Sequence, residues 1–343
     1  MTQQVEAVAV RPPVPHGLIG RLRRRPEGAI VTLFIVVQIC CIIGGLLFPD
    51  DFRYLSEANI RVLLKSIAPL GIMALGVGIL MIAGEFDLSV GTIYTFAGIV
   101  VATLAADVPG PGGGEGISPF IAMFIGIAIG VAAGILHGTI AIRFAIPSFI
   151  VTLGAMLVWK GATLLYNGAS SVRFRPDDSF EAIFGAEFGL VDASFIWFII
   201  LAVVFYFILH HHKLGNHFFA VGGNKQSAIA IGINPTKVKL IAFAIVGGCA
   251  AFSGVIAMTR VGSVQPGGGL GLELEAIAAC VIGGAALMGG RGSIIGVVLG
   301  TALIYTIQDI LLLLRAPGFY FDMFVGGLIV LAAISNQVLR PRS

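Results

Sequence analysis

The chain has 343 residues, of which 57% are hydrophobic and 11% charged, with a formal net charge of +3 and a mean hydropathy of +0.99. Soluble domains carry about a quarter charged residues, so the composition excludes one and indicates an all-α polytopic membrane protein. The charge balance gives no reason to expect a nucleic-acid partner, because basic residues are needed to set membrane topology. Glycine is abundant, at 47 residues, as expected where helices pack by close backbone approach in lipid. Cys40, Cys41, Cys249 and Cys280 all lie in apolar runs without metal-type spacing and read as inert core residues.

Residues 1–27 form a basic segment, with Arg21, Arg23, Arg24 and Arg25 ahead of the apolar run Ala29–Phe48. The run is longer than a signal-peptide core, and no small-x-small cleavage site follows it. It reads as a retained first span with its basic side in the cytoplasm. A span needs ~20 mainly apolar residues. Segments 28–48, 61–83, 88–106, 118–142, 147–166, 194–211, 238–259, 272–288, 293–314 and 319–339 meet this pattern. They predict about ten helices in one transmembrane domain over 28–343, in two repeated halves with interrupted helices, and both termini cytoplasmic.

The distribution of Lys and Arg sets this orientation. The inner side collects Arg21–Arg25, Arg143, Lys213, Lys225, Lys237, Lys239, Arg291, Arg340 and Arg342. The outer side collects Asp50, Asp51, Asp177, Asp178, Glu181, Glu187 and Asp192, with Arg173, Arg175 and Arg260 against the trend. Residues 107–117 read as a Gly/Pro-rich outer turn, 167–193 as an outer loop able to hold a short helix, and 211–237 as the longest inner loop.

The segment Gly84-Glu85-Phe86-Asp87-Leu88-Ser89-Val90-Gly91 interrupts two apolar runs. A carboxylate at membrane depth costs ~2.5–3.5 kcal/mol even on the lenient insertion scale, so Glu85 and Asp87 mark a site where protein or water holds charge. Leu287 to Gly296, containing Gly289-Gly290-Arg291-Gly292-Ser293, echoes it, and Ala316-Pro317-Gly318-Phe319 echoes Ile146-Pro147-Ser148-Phe149. Repeats with interrupted helices mark transporters, although Gly-rich apolar stretches also resemble one another by chance. If the copies pack together, Arg291 would pair with Glu85 or Asp87; otherwise all three face water.

Within the inner loop, Asn224 precedes a short helical stretch in which Ala228, Ala230 and Ile231 give a small apolar face and Gly232 a stop. Such a helix suits docking into a soluble partner. It equally suits lying on the membrane, where its lysines meet anionic lipid.

These blocks resemble those of the ribose-type (carbohydrate uptake) permeases of bacterial ABC importers. Gly84–Gly91 is similar to their Gly-x-x-Asp-Leu-Ser-Val-Gly signature, and Ala220-Val221-Gly222-Gly223-Asn224, with Ala228 and Gly232-Ile233, to their cytoplasmic loop. Gly284–Gly296 and Ile146–Gly154 are similar to two further blocks. The resemblance runs from about residue 60 to the C-terminus; it is specific for the permease and less so for a sugar. It implies a multi-pass permease subunit of the bacterial inner membrane that pairs with a second permease, identical or homologous. Gly222, Gly223, Asn224, Ala228 and Gly232 would be the ATPase-coupling loop, and Asp87, Ser89 and Gly91 would belong to the signature. A periplasmic binding protein would deliver a ribose-like pentose, hexose or related polyol. ATP and magnesium would sit on a partner ATPase, with no cofactor in this chain. Glu85-Phe86 departs from the apolar or small residues of many relatives, which leaves the role of Glu85 open.

No Gly-x4-Gly-Lys-Ser/Thr occurs to cradle ATP phosphates, and no nucleophile–base–acid set suggests an enzyme. His210, His211, His212 and His217 point in different directions from a helix and read as interfacial rather than metal-binding. Glu273 and Glu275 read as solvated outer residues, and Asp309, near an outer helix end, as reaching water; Asp322 also falls near a span. Ser89, Thr92, Asn59, Ser66, Thr152 and Ser253 are candidates, by residue type alone, to line a sugar path at the subunit interface. An ABC permease for nucleosides or branched-chain amino acids is the alternative, followed by an ion-coupled secondary transporter, which would not need so long a basic inner loop.

Overall fold

The computed structural model describes residues 28–105 and 116–338. The 1–27 segment with its arginine cluster, residues 107–115 of the outer turn, and Arg340 and Arg342 lie outside the described residues. Thirteen helices are seen among those described. They are α1 (Gly28–Leu47), α2 (Glu57–Ile82), α3 (Val90–Leu104), α4 (Pro119–Arg143), α5 (Ser148–Asn167), α6 (Asp178–Phe184), α7 (Ala193–His211), α8 (Lys213–Gly223), α9 (Lys225–Ala230), α10 (Pro235–Val261), α11 (Leu272–Ile282), α12 (Ile294–Leu313) and α13 (Phe319–Val338).

Each predicted apolar segment contains a helix, and among the described residues seven helices (α1, α2, α4, α5, α7, α10 and α12) are long and apolar enough to cross a membrane. The 15 residues of α3 and 11 of α11 rise only about 22 and 16 Å at 1.5 Å each, well short of a ~30 Å hydrocarbon core. The chain is therefore a multi-pass all-α membrane protein with part-length helices among its spans.

Helix α2 is the centre of the bundle, with every residue from Ile67 to Ile82 buried. A helix apolar on all faces belongs in such a position. Pro69 interrupts its ladder, and Ser253 of α10 donates to the Pro69 carbonyl at 2.6 Å. Helices α4 and α10 lie backbone to backbone, because Gly130 and Gly134 face Gly247 and Phe243 where an added Cβ would overlap a carbonyl. Shape-matched small residues replace the hydrophobic drive that lipid removes.

At one end of the bundle, β1 (Val172–Arg173) pairs antiparallel with β4 (Ser263–Val264), and a small hairpin joins β2 (Glu187–Phe188) to β3 (Val191–Asp192). The 167–193 loop carries α6, capped by Asp177, whose side chain accepts from the Phe180 N–H at 2.8 Å. Phe180 and Phe184 anchor it in a ring cluster with Phe120, Phe174, Trp197 and Phe252. Glu187 at this hairpin end bonds Lys65 and Arg61 of α2. At the opposite end stand the α2–α3 break, the α8–α9 joint and the α11–α12 break. The two predicted faces of the chain are thus opposite ends of the molecule.

Candidate functional site

The α2–α3 and α11–α12 breaks end their first helices in the same way. Gly84 N–H bonds the Met81 carbonyl and Glu85 N–H that of Leu80; Gly284 bonds Val281 and Ala285 bonds Cys280. Both are glycine-terminated caps in which a left-handed residue lets the chain turn back on the last carbonyls, with φ of 82° at Gly84 and 89° at Gly284. Gly84 therefore corresponds to Gly284, not to Gly290 as the sequence echo suggests. At the next helix start, Ser89 and Ser293 both stand at N-caps, of α3 and α12. The two proline turns also share backbone geometry, with φ of 52° at Ala145 and 54° at Arg315. They lie at opposite ends of the bundle, the first beside Glu85 and the second near the Asn59–Asp309 bond.

The extra residues of the second break reach across to the first. Gly290 N–H donates to the Ile82 carbonyl at 2.9 Å. A Cβ at Gly289 would lie 2.7 Å from Gly84 Cα, and one at Gly222 would overlap the Ile82 carbonyl oxygen. Gly84, Gly222-Gly223 and Gly289-Gly290 thus form one junction between both breaks and the end of α8. Beyond it, the Asn224 side chain accepts from Ser227 N–H at 2.9 Å and starts α9. Ala228 is buried rather than part of an exposed face, while Ile229 and Ile231 are 53% and 73% exposed. Gly232, with φ of 83°, stops the helix.

Arg291 is exposed and makes no ion pair among the described residues, so neither alternative holds in full: Arg291 does not pair with Glu85 or Asp87, and Asp87 does not face water. Glu85 instead pairs with Lys239 of α10. That pair borders a cleft of about 320 Å³ shared with Lys225 and Thr236.

Asp87 is 1% exposed. The N–H of Ser89 donates to its Oδ1 at 2.7 Å, and the Ser89 hydroxyl donates to the same oxygen. His137 of α4 places Nδ1 at 3.2 Å from Ser89 Oγ and 3.6 Å from Asp87 Oδ2, and Trp159 of α5 donates its indole N–H to His137 Nε2 at 3.1 Å. An indole N–H only donates, so Nε2 accepts and the ring proton sits on Nδ1, facing Ser89 and Asp87. The relay runs from Trp159 through His137 and Ser89 to a carboxylate at the N-terminus of α3, where negative charge is favoured. Ser148 and Thr152 of α5 accept from Phe86 and Leu88 N–H at 3.1 and 3.0 Å, so the Pro-Ser-Phe block holds the backbone of the break.

Towards the hairpin end, Gly91 packs on Gly269, whose N–H donates to Thr95 Oγ1 at 3.0 Å. Gly268 beside it lines a cavity of about 240 Å³ with Ser66, Tyr94, Arg260, Gln265 and Tyr305 among its walls. Of the path residues proposed by type, only Ser66 lines this cavity. Ser89, Thr92, Thr152 and Ser253 bond backbone or the Asp87 relay, and Asn59 donates to Asp309 at 2.8 Å. Glu273 is buried and accepts from Gly271 N–H, so neither it nor Asp309 is the solvated residue expected. Sequence reasoning did not single out His137 and Trp159; a lone histidine inside an apolar span was the available signal. His212 caps α8 through Leu214 N–H, and His211 packs against Tyr206 and Phe207. No cluster of three metal-ligating side chains occurs among the described residues.

Residues 59–333 match the family described as the permease component of branched-chain amino acid transport systems. The chain belongs to this family. It is 33% identical over 308 residues to the ribose import permease protein RbsC of Bacillus subtilis, covering 90% of this chain and 91% of that one. It is 32% identical to the L-arabinose ABC transporter permease protein AraH of Azospirillum brasilense, over 97% and 93% of the two chains. It is 30% identical to the autoinducer 2 import system permease protein LsrC of Escherichia coli strain HS, over 89% and 85%. No solved structure matches. This permease is thus a transport component rather than an enzyme, with the composition and spans of a multi-pass membrane protein.

Proposed function

We propose that this permease carries a monosaccharide, a pentose or hexose, inward across a bacterial inner membrane as one subunit of an ABC importer. The observation that carries the reading is the glycine junction. A short helix with Ile229 and Ile231 turned outward is seated, through Gly222-Gly223, directly on both helix breaks, so a force applied to α9 is delivered to the spans that must move. A cytoplasmic ATPase, holding ATP and magnesium, docks on α9; a periplasmic binding protein delivers the sugar at the hairpin end; a second permease completes the path. The junction end and both termini face the cytoplasm, which the lysines of the 211–237 loop support. The ribose and arabinose permeases among the relatives support the sugar, and the family description supports a branched-chain amino acid as the second reading.

Purification of the permease from its native membrane in mild detergent, with mass spectrometry of what stays bound, tests this. Recovery of an ATPase together with a sugar-binding protein is expected. Recovery with an amino-acid-binding protein selects the second reading. Purification without any ATPase, with ion-dependent uptake in vesicles, refutes both.

A further inference from the structure

The cavity near the hairpin end has the chemistry of a sugar site. Arg260 in the last turn of α10, Gln265 in the loop after it, Tyr94 of α3, Tyr305 of α12 and Ser66 of α2 all line it. Among the described residues, none of these five side chains makes a hydrogen bond or ion pair with the protein. Five polar side chains from five segments converge on one space with their hydrogen-bonding capacity unused. Pro69, Leu70, Val264 and Leu272 supply apolar walls. A few convergent polar groups in an otherwise apolar cleft is the pattern of a small-molecule site, and about 240 Å³ lies below the ~300 Å³ where pockets for drug-sized ligands begin. It matches one ring rather than two. A planar guanidinium spans adjacent acceptors, and tyrosine offers both an apolar face and a hydroxyl. A polyol ring has alternating C–H faces and neighbouring hydroxyls to meet both.

The cavity is also joined to the moving parts. Gly268 lines it, and the next residue, Gly269, packs on Gly91 and bonds Thr95. Gly91 closes the Asp87 signature, so the loop that walls the cavity touches the α2–α3 break.

We propose that this cavity is a transit subsite for a single sugar ring on the permease itself, in which Arg260 and the Tyr305 hydroxyl hold ring hydroxyls. The permease then contributes selectivity of its own, beyond that of the binding protein. The inference rests on the monosaccharide reading above.

The test is uptake by the complete importer in its own cells, with the wild-type permease or with Tyr305→Phe or Arg260→Lys. Radiolabelled ribose, arabinose, xylose and galactose are supplied at saturating concentration. The mono-deoxy analogues of whichever sugar enters are then measured in the same way. Each variant should lower maximal uptake of the parent sugar about five- to tenfold, the equivalent of one lost hydrogen bond to a charged or polar partner. The loss should be at least threefold smaller for the analogue that already lacks the hydroxyl in question, as for any two changes at one contact. Equal losses for the parent and all analogues would mean a structural defect and would overturn the subsite, as would rates within twofold of wild type in both variants. Wild-type cells that take up none of the sugars would refute the monosaccharide reading itself.

Discussion

The main-chain N–H of Gly290 donates to the carbonyl of Ile82 at 2.9 Å. This bond closes one interrupted helix against the other, and Gly222 is inserted between them without room for a side chain. A β-carbon there would meet both the Ile82 oxygen and, at 2.7 Å, the Gly290 nitrogen. Backbone cannot move aside as a flexible side-chain tip can. Gly222→Ala should therefore destabilise the permease by about 1–3 kcal/mol, the range for overpacking, and lower uptake more than it lowers membrane insertion. Thermal unfolding in detergent and uptake per membrane-inserted permease measure the two effects.

The Asp87 relay is a buried polar network, and half-satisfied networks are worse than apolar ones. His137→Phe leaves Asp87 facing an apolar ring, at an expected loss of about 2–4 kcal/mol. Asp87→Asn in the same chain removes the charge. The double variant should be more stable than the sum of the two single losses predicts, because the residues act as one unit. Additivity in the unfolding free energies would show that they are independent.

Glu85 and Lys239 carry side chains only 15% and 16% exposed. Lys239→Met leaves a largely buried carboxylate without its partner and should cost about 1.5–3 kcal/mol. The charge reversal Glu85→Lys with Lys239→Glu should restore much of it. Comparison of melting temperatures for the single and double variants checks the pairing.

The exposed Ile229 of α9 gives a direct test of coupling. Ile229→Asp should weaken association with the ATPase about tenfold or more, since a buried isoleucine contributes ~1.5–3 kcal/mol at an interface. Ala228→Pro should break α9 itself and uncouple ATP hydrolysis from transport while the spans stay folded. Co-purification of the ATPase and sugar uptake per ATP hydrolysed give the two readouts.

At the hairpin end, the hydrogen bond and charge of Lys65 hold the Glu187 carboxyl below the usual carboxylate range, with a smaller contribution from Arg61. A carboxylate lowered in the folded state stabilises above its unfolded value, ~4.3, and that stabilisation is lost as pH falls through the folded value. Wild type should melt slightly above Glu187→Gln at pH 7, with the difference closing as pH falls through and below about 4. Salt should narrow it at any pH, because the pair is exposed.

Much of this architecture could be read from local chemistry. Apolar runs located the helices, because lipid allows a backbone no partner but itself. Gly84 and Asn224 announced a helix end and a helix start through conformation and hydrogen bonding within a few residues. Glu85 and Asp87 declared that something must stabilise them, because the cost of a membrane-depth charge is a property of the residue. What stabilises them was not legible. Arg291 was the attractive partner from the sequence echo, yet Lys239, 154 residues from Glu85, is the one that packs there.

The sequence by itself determined the class of the molecule, the places where its helices stop and the residues that need partners, since these follow from transfer energies and short-range geometry. Only the tertiary structure decided that Gly84, Gly222-Gly223 and Gly289-Gly290 meet, that His137 and Trp159 complete the Asp87 relay, and that Arg260 and Tyr305 face one cavity. Those contacts join residues far apart in the chain, and their geometry is set by how α2, α4, α5 and α10 pack, which no local pattern records.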